Sequence, residues 1–231
     1  MSVFNFKKFS IIQSKSAMKV GTDGVLLGSW VNCEKANNIL DIGSGTGLLA
    51  LMLAQRNTSC IINAIEIDKD ASDEARLNII NSDWSNRISV QNIDIQSYTS
   101  NIKYDLIISN PPFHPSSFFN NKRTIARHTN LLSFDDLISS TVSLLSITGL
   151  FAVVIPKNYE LDFCQRARDN KLFILRVCNV KGQKNTDIKR VLVEFSFLES
   201  RVTNEHLIIE ESRHQYTKEY TDLCKDFYLK M

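Results

Sequence analysis

Short apolar runs alternate with helix-patterned stretches along most of this chain, and few folds accommodate that order. NNILDI, GLLALMLAQR, CIINAIEI, DASDEARLNIINS, ISVQNIDI and YDLIISN follow one another with only brief polar breaks. Runs of strand length separated by 3.6-periodic segments are the β-α-β-α rhythm of an α/β fold with a mostly parallel sheet. The rhythm continues with a helix at about 134–146, a strand at 149–155 and a helix near 159–170. Two later strand-like runs, at 172–180 and 191–197, are joined by the polar stretch KGQKNTDIKR with no helical pattern between them, so they read as an antiparallel hairpin. The expectation is a single α/β domain over residues 1–231. Its sheet should have seven strands, with residues 1–30 as a short cap and 31–231 as the core. The closing TDLCKDFYLKM reads as an amphipathic helix that packs Phe227 and Tyr228.

Composition narrows the function classes. Hydrophobic residues make up 43% and charged residues 23%, with only 8 Gly and 4 Pro, which excludes a disordered chain. Cys33, Cys60, Cys164, Cys178 and Cys224 form no C-x-x-C pair and no regular spacing, so neither a metal site nor a disulfide framework is expected. The longest apolar run, Leu48 to Ala54, is too short to cross a bilayer, and MSVFNFKKFS lacks the apolar stretch of a leader. A cytoplasmic monomer with no membrane partner is expected. The net charge of +2 identifies no polyanion by itself. Local basic groups stand at Lys7, Lys8, Lys15 and Lys19, at Lys122, Arg123, Arg127 and His128, and at Lys181, Lys184, Lys189 and Arg190. Only their convergence beside an active site would favour RNA.

Three strand ends carry the chemistry. DIGSGTG, Asp41 to Gly47, lies between a strand and a helix; glycines at 43, 45 and 47 permit positive φ and close approach of backbone to a ligand. A dinucleotide-binding turn would need glycine where Leu48 stands, so D-x-G-x-G-x-G is the better description. Glu66 ends the next strand, where a carboxylate can accept both hydroxyls of a ribose. Asp94 follows the third strand, and open α/β sheets bind ligands at such carboxyl ends.

Asn110, Pro111, Pro112 and Phe113 follow the fourth strand, and the two prolines stiffen the loop. Rigidity suits attack by a planar NH2 group, whose lone pair is delocalised and which must be aligned and supported as positive charge develops. The Asn110 side-chain carbonyl and the Pro111 backbone carbonyl can accept its two N–H bonds, and Phe113 can stack on a base turned outward. No general base is required, because the nitrogen becomes acidic once alkylated.

DIGSGTG resembles motif I of the Rossmann-like class I methyltransferases, and its order with NPPF resembles the N-P-P-[YFW] methyltransferases that act on planar NH2 groups. AMKVGTDGVLLGSW, with ILDIGSGTGLLALMLAQR, YDLIISNPPF and KDFYLKM, is similar to the bacterial valine-tRNA adenine-N6-methyltransferases over essentially the whole chain. The resemblance implies S-adenosyl-L-methionine as cofactor. It implies as substrate the adenosine immediately 3′ of the anticodon of a valine tRNA, held in the anticodon loop. It places Lys19, Thr22 and Asp23 near the methionine end of the cofactor. Asp41, Gly43, Ser44, Gly45, Gly47, Glu66, Ile67, Asp94, Ile95 and Asn110 complete that set, with Asp94 at the adenine amino group. Asp23 is open to two readings, a partner for the cofactor ammonium or, with Thr22, a cap for the helix running to Trp30. Lys7, Lys8, Lys122, Arg123, Arg127 and His128 are the RNA-contact candidates, Arg123 and Arg127 sharing one face if helical.

NPPF also occurs in rRNA guanine-N2 methyltransferases, and many relatives have tyrosine where Phe113 stands. A protein glutamine-N5 methyltransferase shares the same acceptor chemistry, although the extra helical amino-terminal domain of that class has no counterpart here. A cofactor-binding RNA chaperone without turnover is the non-enzyme alternative, and its function would survive Asn110→Ala.

Overall fold

The computed structural model describes residues 2–112 and 132–231. β1 (Val3–Asn5) and β2 (Ser10–Ile12) pair as a small hairpin, followed by α1 (Thr22–Trp30). The expected alternation then runs through β3 (Asn38–Ile42), α2 (Leu48–Arg56), β4 (Ile61–Glu66), α3 (Lys69–Ile80), β5 (Ile88–Asn92) and β6 (Tyr104–Ser109). Beyond residue 131 come α4 (Phe134–Leu144), β7 (Leu145–Pro156), α5 (Glu160–Asp169), β8 (Phe173–Gln183) and β9 (Ile188–Ser196). β10 (Thr203–Ser212), β11 (Gln215–Tyr216) and α6 (Lys218–Cys224) close the chain.

One sheet takes nine strands in the order β11-β10-β8-β9-β7-β6-β3-β4-β5. β5, β4, β3, β6 and β7 are parallel, and β9 runs antiparallel to both β7 and β8, as the sequence led us to expect. The strand count is two higher than expected. β10 adds in parallel to β8, and β11 folds back on β10. The alternation TNEHLIIEES exposes much of β10, so it shows only the short apolar run Leu207–Ile209 by which a strand is recognised from sequence. The connection between β8 and β9 is also tighter than the polar stretch suggested, since both strands continue into it and leave residues 184–187 as the turn.

The helix before β7 stops at Leu144 rather than near Ser146. Gly149 lets β7 come close to β6 there: a Cβ at this position would lie 2.8 Å from the Tyr104 carbonyl oxygen, beside a register shift between Tyr104 and Leu106. Two apolar clusters cover the faces of the sheet. One gathers α1, α2, the aromatic side chains of the amino-terminal hairpin and Phe227; the other gathers α4, α5 and the opposite faces of β6, β7 and β9. α1 is more than a cap. Every residue from Gly24 to Trp30 is buried, and at Gly28 the backbone approaches Met52 so closely that a Cβ would lie 2.8 Å from Sδ. A helix that is apolar all round belongs in a core. Four of the five cysteines are buried and all are free. No helix among the described residues is long and apolar enough to cross a membrane, and no cluster of metal-ligating side chains occurs among them.

Candidate active site

The carboxyl ends of β3, β4, β5 and β6 lie side by side in the sheet and form the floor of the site. After β3 the chain makes a turn with positive φ at Gly43 (70°), Gly45 (53°) and Gly47 (80°), the region that only glycine enters freely. The turn is tied internally: Gly43 and Ser44 N–H donate to the Ile65 carbonyl at 2.9 and 3.0 Å, and Gly47 N–H donates to the Ser44 carbonyl at 2.8 Å. Its glycines do different work. A Cβ at Gly43 or Gly45 would meet nothing within 4 Å, whereas one at Gly47 would sit 3.4 Å from the Ala75 Cβ of α3. The first two therefore face open space and the third lets α3 pack. The Ser44 hydroxyl is buried in this turn with no hydrogen-bond partner.

Asp41 and Glu66 stand at neighbouring strand ends and differ sharply. Asp41 is fully buried, so no ligand can touch its side chain; one carboxylate oxygen accepts from Ala50 N–H at 3.2 Å in the first turn of α2, and the other has no partner. It holds the helix start against the turn. Burial pushes its carboxyl up to about 7, with the Glu66 charge adding to the rise. Glu66 retains 9% exposure, and its two oxygens accept from Gly45 N–H at 2.8 Å and Asp68 N–H at 2.9 Å. Two of its roughly four acceptor positions remain for a ligand. Beside it the Ile67 side chain is 40% exposed, an apolar surface at the mouth of the site.

β5 braces this end. Asn92 donates its side-chain amide to the carbonyls of Glu66 and Ile67, both at 2.9 Å, and Ile93 N–H reaches the Glu66 carbonyl at 3.0 Å. Asp94 is half-buried and accepts from Gln96 N–H at 3.0 Å, while Ile95 is buried against the core. At the end of β6, the Ser109 hydroxyl donates to the Ile42 carbonyl at 2.8 Å and locks β6 to β3. Asn110 is half-buried, and among the described residues its side-chain amide makes no hydrogen bond; Pro111 is buried and Pro112 exposed. Phe113 lies outside the described residues, as do Lys122, Arg123, Arg127 and His128.

The amino-terminal segment reaches this floor through α3. Asn78 accepts from Ile12 N–H at 2.8 Å and donates to the Ile12 and Thr46 carbonyls at 3.0 and 2.9 Å, so one side chain joins segment, helix and glycine turn. Glu74 accepts the N–H groups of Ser14, Lys15 and Ser16 and the Ser16 hydroxyl within 2.6–2.8 Å. These bonds hold its carboxyl below the usual range against the opposing effect of burial. Neither Asn78 nor Glu74 was legible as a site residue, since on an amphipathic helix they look like ordinary polar positions.

At the start of α1 the capping reading fails. Gly21 is the N-cap, with no side-chain cap, and Asp23 instead accepts from Arg190 Nε of β9 at 2.6 Å. A single charge-assisted bond from β9 takes the place of local backbone capping. The next residue, Gly24, touches both halves of the site: a Cβ there would lie 3.1 Å from Leu48 and 3.7 Å from Asn110 Nδ2. Lys19 and Thr22 are exposed. Lys7, by contrast, is occupied elsewhere, donating its ammonium to the Lys225 and Met231 carbonyls at 2.5 and 2.8 Å. It fastens the hairpin to the carboxyl-terminal tail. Lys8 is exposed, on a shallow cavity with Phe9, Asn78 and Asn81.

Comparison with known proteins bears on the family and the fold. The family model described as "Methyltransferase small domain" matches residues 5–164. A Parabacteroides distasonis protein named tRNA1(Val) (adenine(37)-N6)-methyltransferase is 45% identical over 99% of this chain and 98% of its own length. A protein of the same name from Pseudoalteromonas translucida is 44% identical over the full length of both chains. Among solved structures, an Agrobacterium tumefaciens protein described as a predicted O-methyltransferase has a TM-score of 0.72 at 20% identity, covering 89% of this chain and 96% of that one. A ribosomal protein L11 methylase from Lactobacillus delbrueckii has a TM-score of 0.53 at 18% identity, covering 75% and 76%. Those two likenesses speak to the fold alone. The full-length identity speaks to the family: the chain belongs to the methyltransferase small domain family and, within it, to the tRNA1(Val) (adenine(37)-N6)-methyltransferases.

Proposed function

We propose that this protein methylates the exocyclic N6 of an adenosine in tRNA, the adenosine immediately 3′ of the anticodon of a valine tRNA, using S-adenosyl-L-methionine. The observation that carries the reading is the meeting of two half-sites at Gly24: an open glycine turn on one side and the unpaired Asn110 amide on the other. The shared name of full-length relatives supports the substrate.

The residues present fit the cofactor. The free space over Gly43 and Gly45 and the unpartnered Ser44 hydroxyl suit a polar, backbone-hugging group. Glu66 has acceptor capacity left for two ribose hydroxyls, and Ile67 and Ile95 offer apolar contact to an adenine ring whose amino group Asp94 accepts. Asp41 contributes through α2 and the turn. Lys19, Thr22 and Asp23 close the methionine end. When bound, the cofactor supplies an electrophilic methyl group.

Asn110 Oδ1 and the Pro111 carbonyl accept the two N–H bonds of the adenine amino group, directing its lone pair and supporting the positive charge that develops on nitrogen. Phe113 stacks on the extruded base, and the proton leaves to solvent after transfer. Presenting a purine from a single-stranded anticodon loop costs less than flipping one from a duplex. Lys8, Lys122, Arg123, Arg127 and His128 contact the RNA backbone, and the enzyme acts as a cytoplasmic monomer.

The test is transfer of labelled methyl from S-adenosyl-L-methionine to total tRNA of a strain lacking the protein, followed by nucleoside mapping. N6-methyladenosine beside one valine anticodon is the expected product. Label appearing in rRNA or in protein would overturn the substrate while leaving the Asn-Pro-Pro chemistry in place.

A further inference from the structure

The stretch 181–190 carries four cations, Lys181, Lys184, Lys189 and Arg190, and one acid, Asp187, for a formal +3, whereas the whole chain carries +2. The hairpin is thus one of the local concentrations of positive charge in this chain, beside residues 1–19, where Lys7, Lys8, Lys15 and Lys19 stand with no acid. Arg190 is spoken for by Asp23, but Lys181, Lys184 and Lys189 make no ion pair with any described residue, and Lys184 and Lys189 are exposed. The turn is stiff: the Thr186 hydroxyl bonds both the Gln183 N–H (3.1 Å) and the Gln183 carbonyl (2.8 Å), and Thr186 N–H reaches the same carbonyl at 3.1 Å.

Sheet register puts this hairpin beside the site. Ser109 pairs with Val153, and β7 runs three residues further to Pro156, whose partner across the ladder is Arg190. β8 and β9 thus run on past the level at which Asn110 stands, with Lys181 and Gln183 still paired to Ile208 and Glu210 of β10 and residues 184–187 forming the turn. Their base is fastened there by the 2.6 Å Arg190–Asp23 bond, one residue from the Gly24 that abuts Asn110. A rigid, unpaired cationic finger at the rim of a site suits a polyanion longer than the site itself.

We infer that the β8–β9 hairpin is a docking surface for the sugar–phosphate backbone of the RNA substrate, with Lys181, Lys184 and Lys189 setting the register of the strand that feeds a base toward Asn110. The inference rests on the tRNA reading above. Phosphate contacts of this kind position the nucleic acid, and the choice of base stays with the pocket.

The experiment compares the full-length wild type with K181A/K184A/K189A and with K181R/K184R/K189R. A labelled anticodon stem-loop of valine tRNA is titrated over a salt series, and cofactor affinity and melting temperature are read on the same samples. The alanine variant should bind on the order of tenfold more weakly at about 0.15 M salt, with a slope of log affinity against log salt shallower by about 2. The arginine variant should restore both, and cofactor affinity and melting temperature should not move. Unchanged RNA affinity and slope in the alanine variant overturn the inference. So does better competition for the hairpin by polyglutamate than by RNA, which would assign it to an acidic protein. Methyl transfer to tRNA by the wild type is scored separately: its absence, with the salt effect intact, would sink the functional reading and leave the docking surface standing.

Discussion

The ends of β3 and β6 are neighbours in the sheet, and they meet the site in opposite ways. At β3 the N–H groups of Gly43, Ser44, Gly45 and Gly47 are satisfied inside the protein, by the Ile65 carbonyl, the Ser44 carbonyl or the Glu66 carboxylate, so the backbone of the glycine turn is fixed before any ligand arrives. At β6 the backbone is fixed by Ser109 and two prolines, yet the Asn110 amide has no partner among the described residues. One strand end uses its backbone N–H groups for shape, and the other keeps a side-chain amide free for substrate. Preorganised positioning requires both, since a polar group that is to act on a reacting atom must be held by something other than its own polar bonds.

Replacing the reserved group gives the largest expected effect. Asn110→Ala should lower kcat by on the order of 10²–10³-fold, the range for loss of one charge-stabilising contact, with cofactor affinity within a few-fold of wild type. Single-turnover methyl transfer with calorimetric cofactor binding checks both; a matching loss of cofactor affinity would mean that the two strand ends are not separate in function.

The second prediction divides the frame itself. Gly45→Ala and Gly47→Ala should each cost about 1–2 kcal/mol in stability, because both positions have positive φ. Only Gly45→Ala places its methyl in the open cradle, so it alone should weaken cofactor binding, by roughly tenfold; the Gly47 methyl meets Ala75. Equal loss of cofactor affinity in the two variants would show that the cradle is not where the free space lies.

The smallest effect concerns Asp41. Its carboxyl is raised from 3.8 to about 7 in the folded protein, so between those values the native state holds a proton that the unfolded chain has released. Stability contributed by the protonated form is present below about 4 and is lost as pH rises toward 7. Asp41→Asn keeps an acceptor for Ala50 N–H and should flatten that decline in a denaturation series from pH 4 to pH 8. An unchanged slope would mean that Asp41 stays ionised in the folded protein.

Much of the site was legible because its signals are local. Strand-turn-helix spacing marks Gly43, Gly45 and Gly47, and a strand followed by Asn-Pro-Pro marks Asn110 whatever surrounds it. The two strands missed at the sheet edge have the opposite character: β10 pairs with β8 and with the two-residue β11, and most of its residues are exposed or half-buried polar and charged groups, so it reads as loop. The acidic positions were legible as strand ends but not in their roles, since a buried Asp41 and a half-satisfied Glu66 look alike until helix α2 and the Asp68 turn are in place.

The order of strands and helices from β3 to β9, the glycine turn, the stiff loop after β6 and the family resemblance were all determined by the sequence itself, through periodicity and short motifs that act within a few residues. Tertiary structure alone decided that Asp23 meets Arg190, 167 positions away, instead of capping its own helix. It alone decided that Lys7 fastens the tail 218 positions on, and that Asn78 joins the amino-terminal segment to the turn. Such pairings leave no periodic trace, because each depends on two chain segments brought together only when apolar burial has already placed the helices and the sheet.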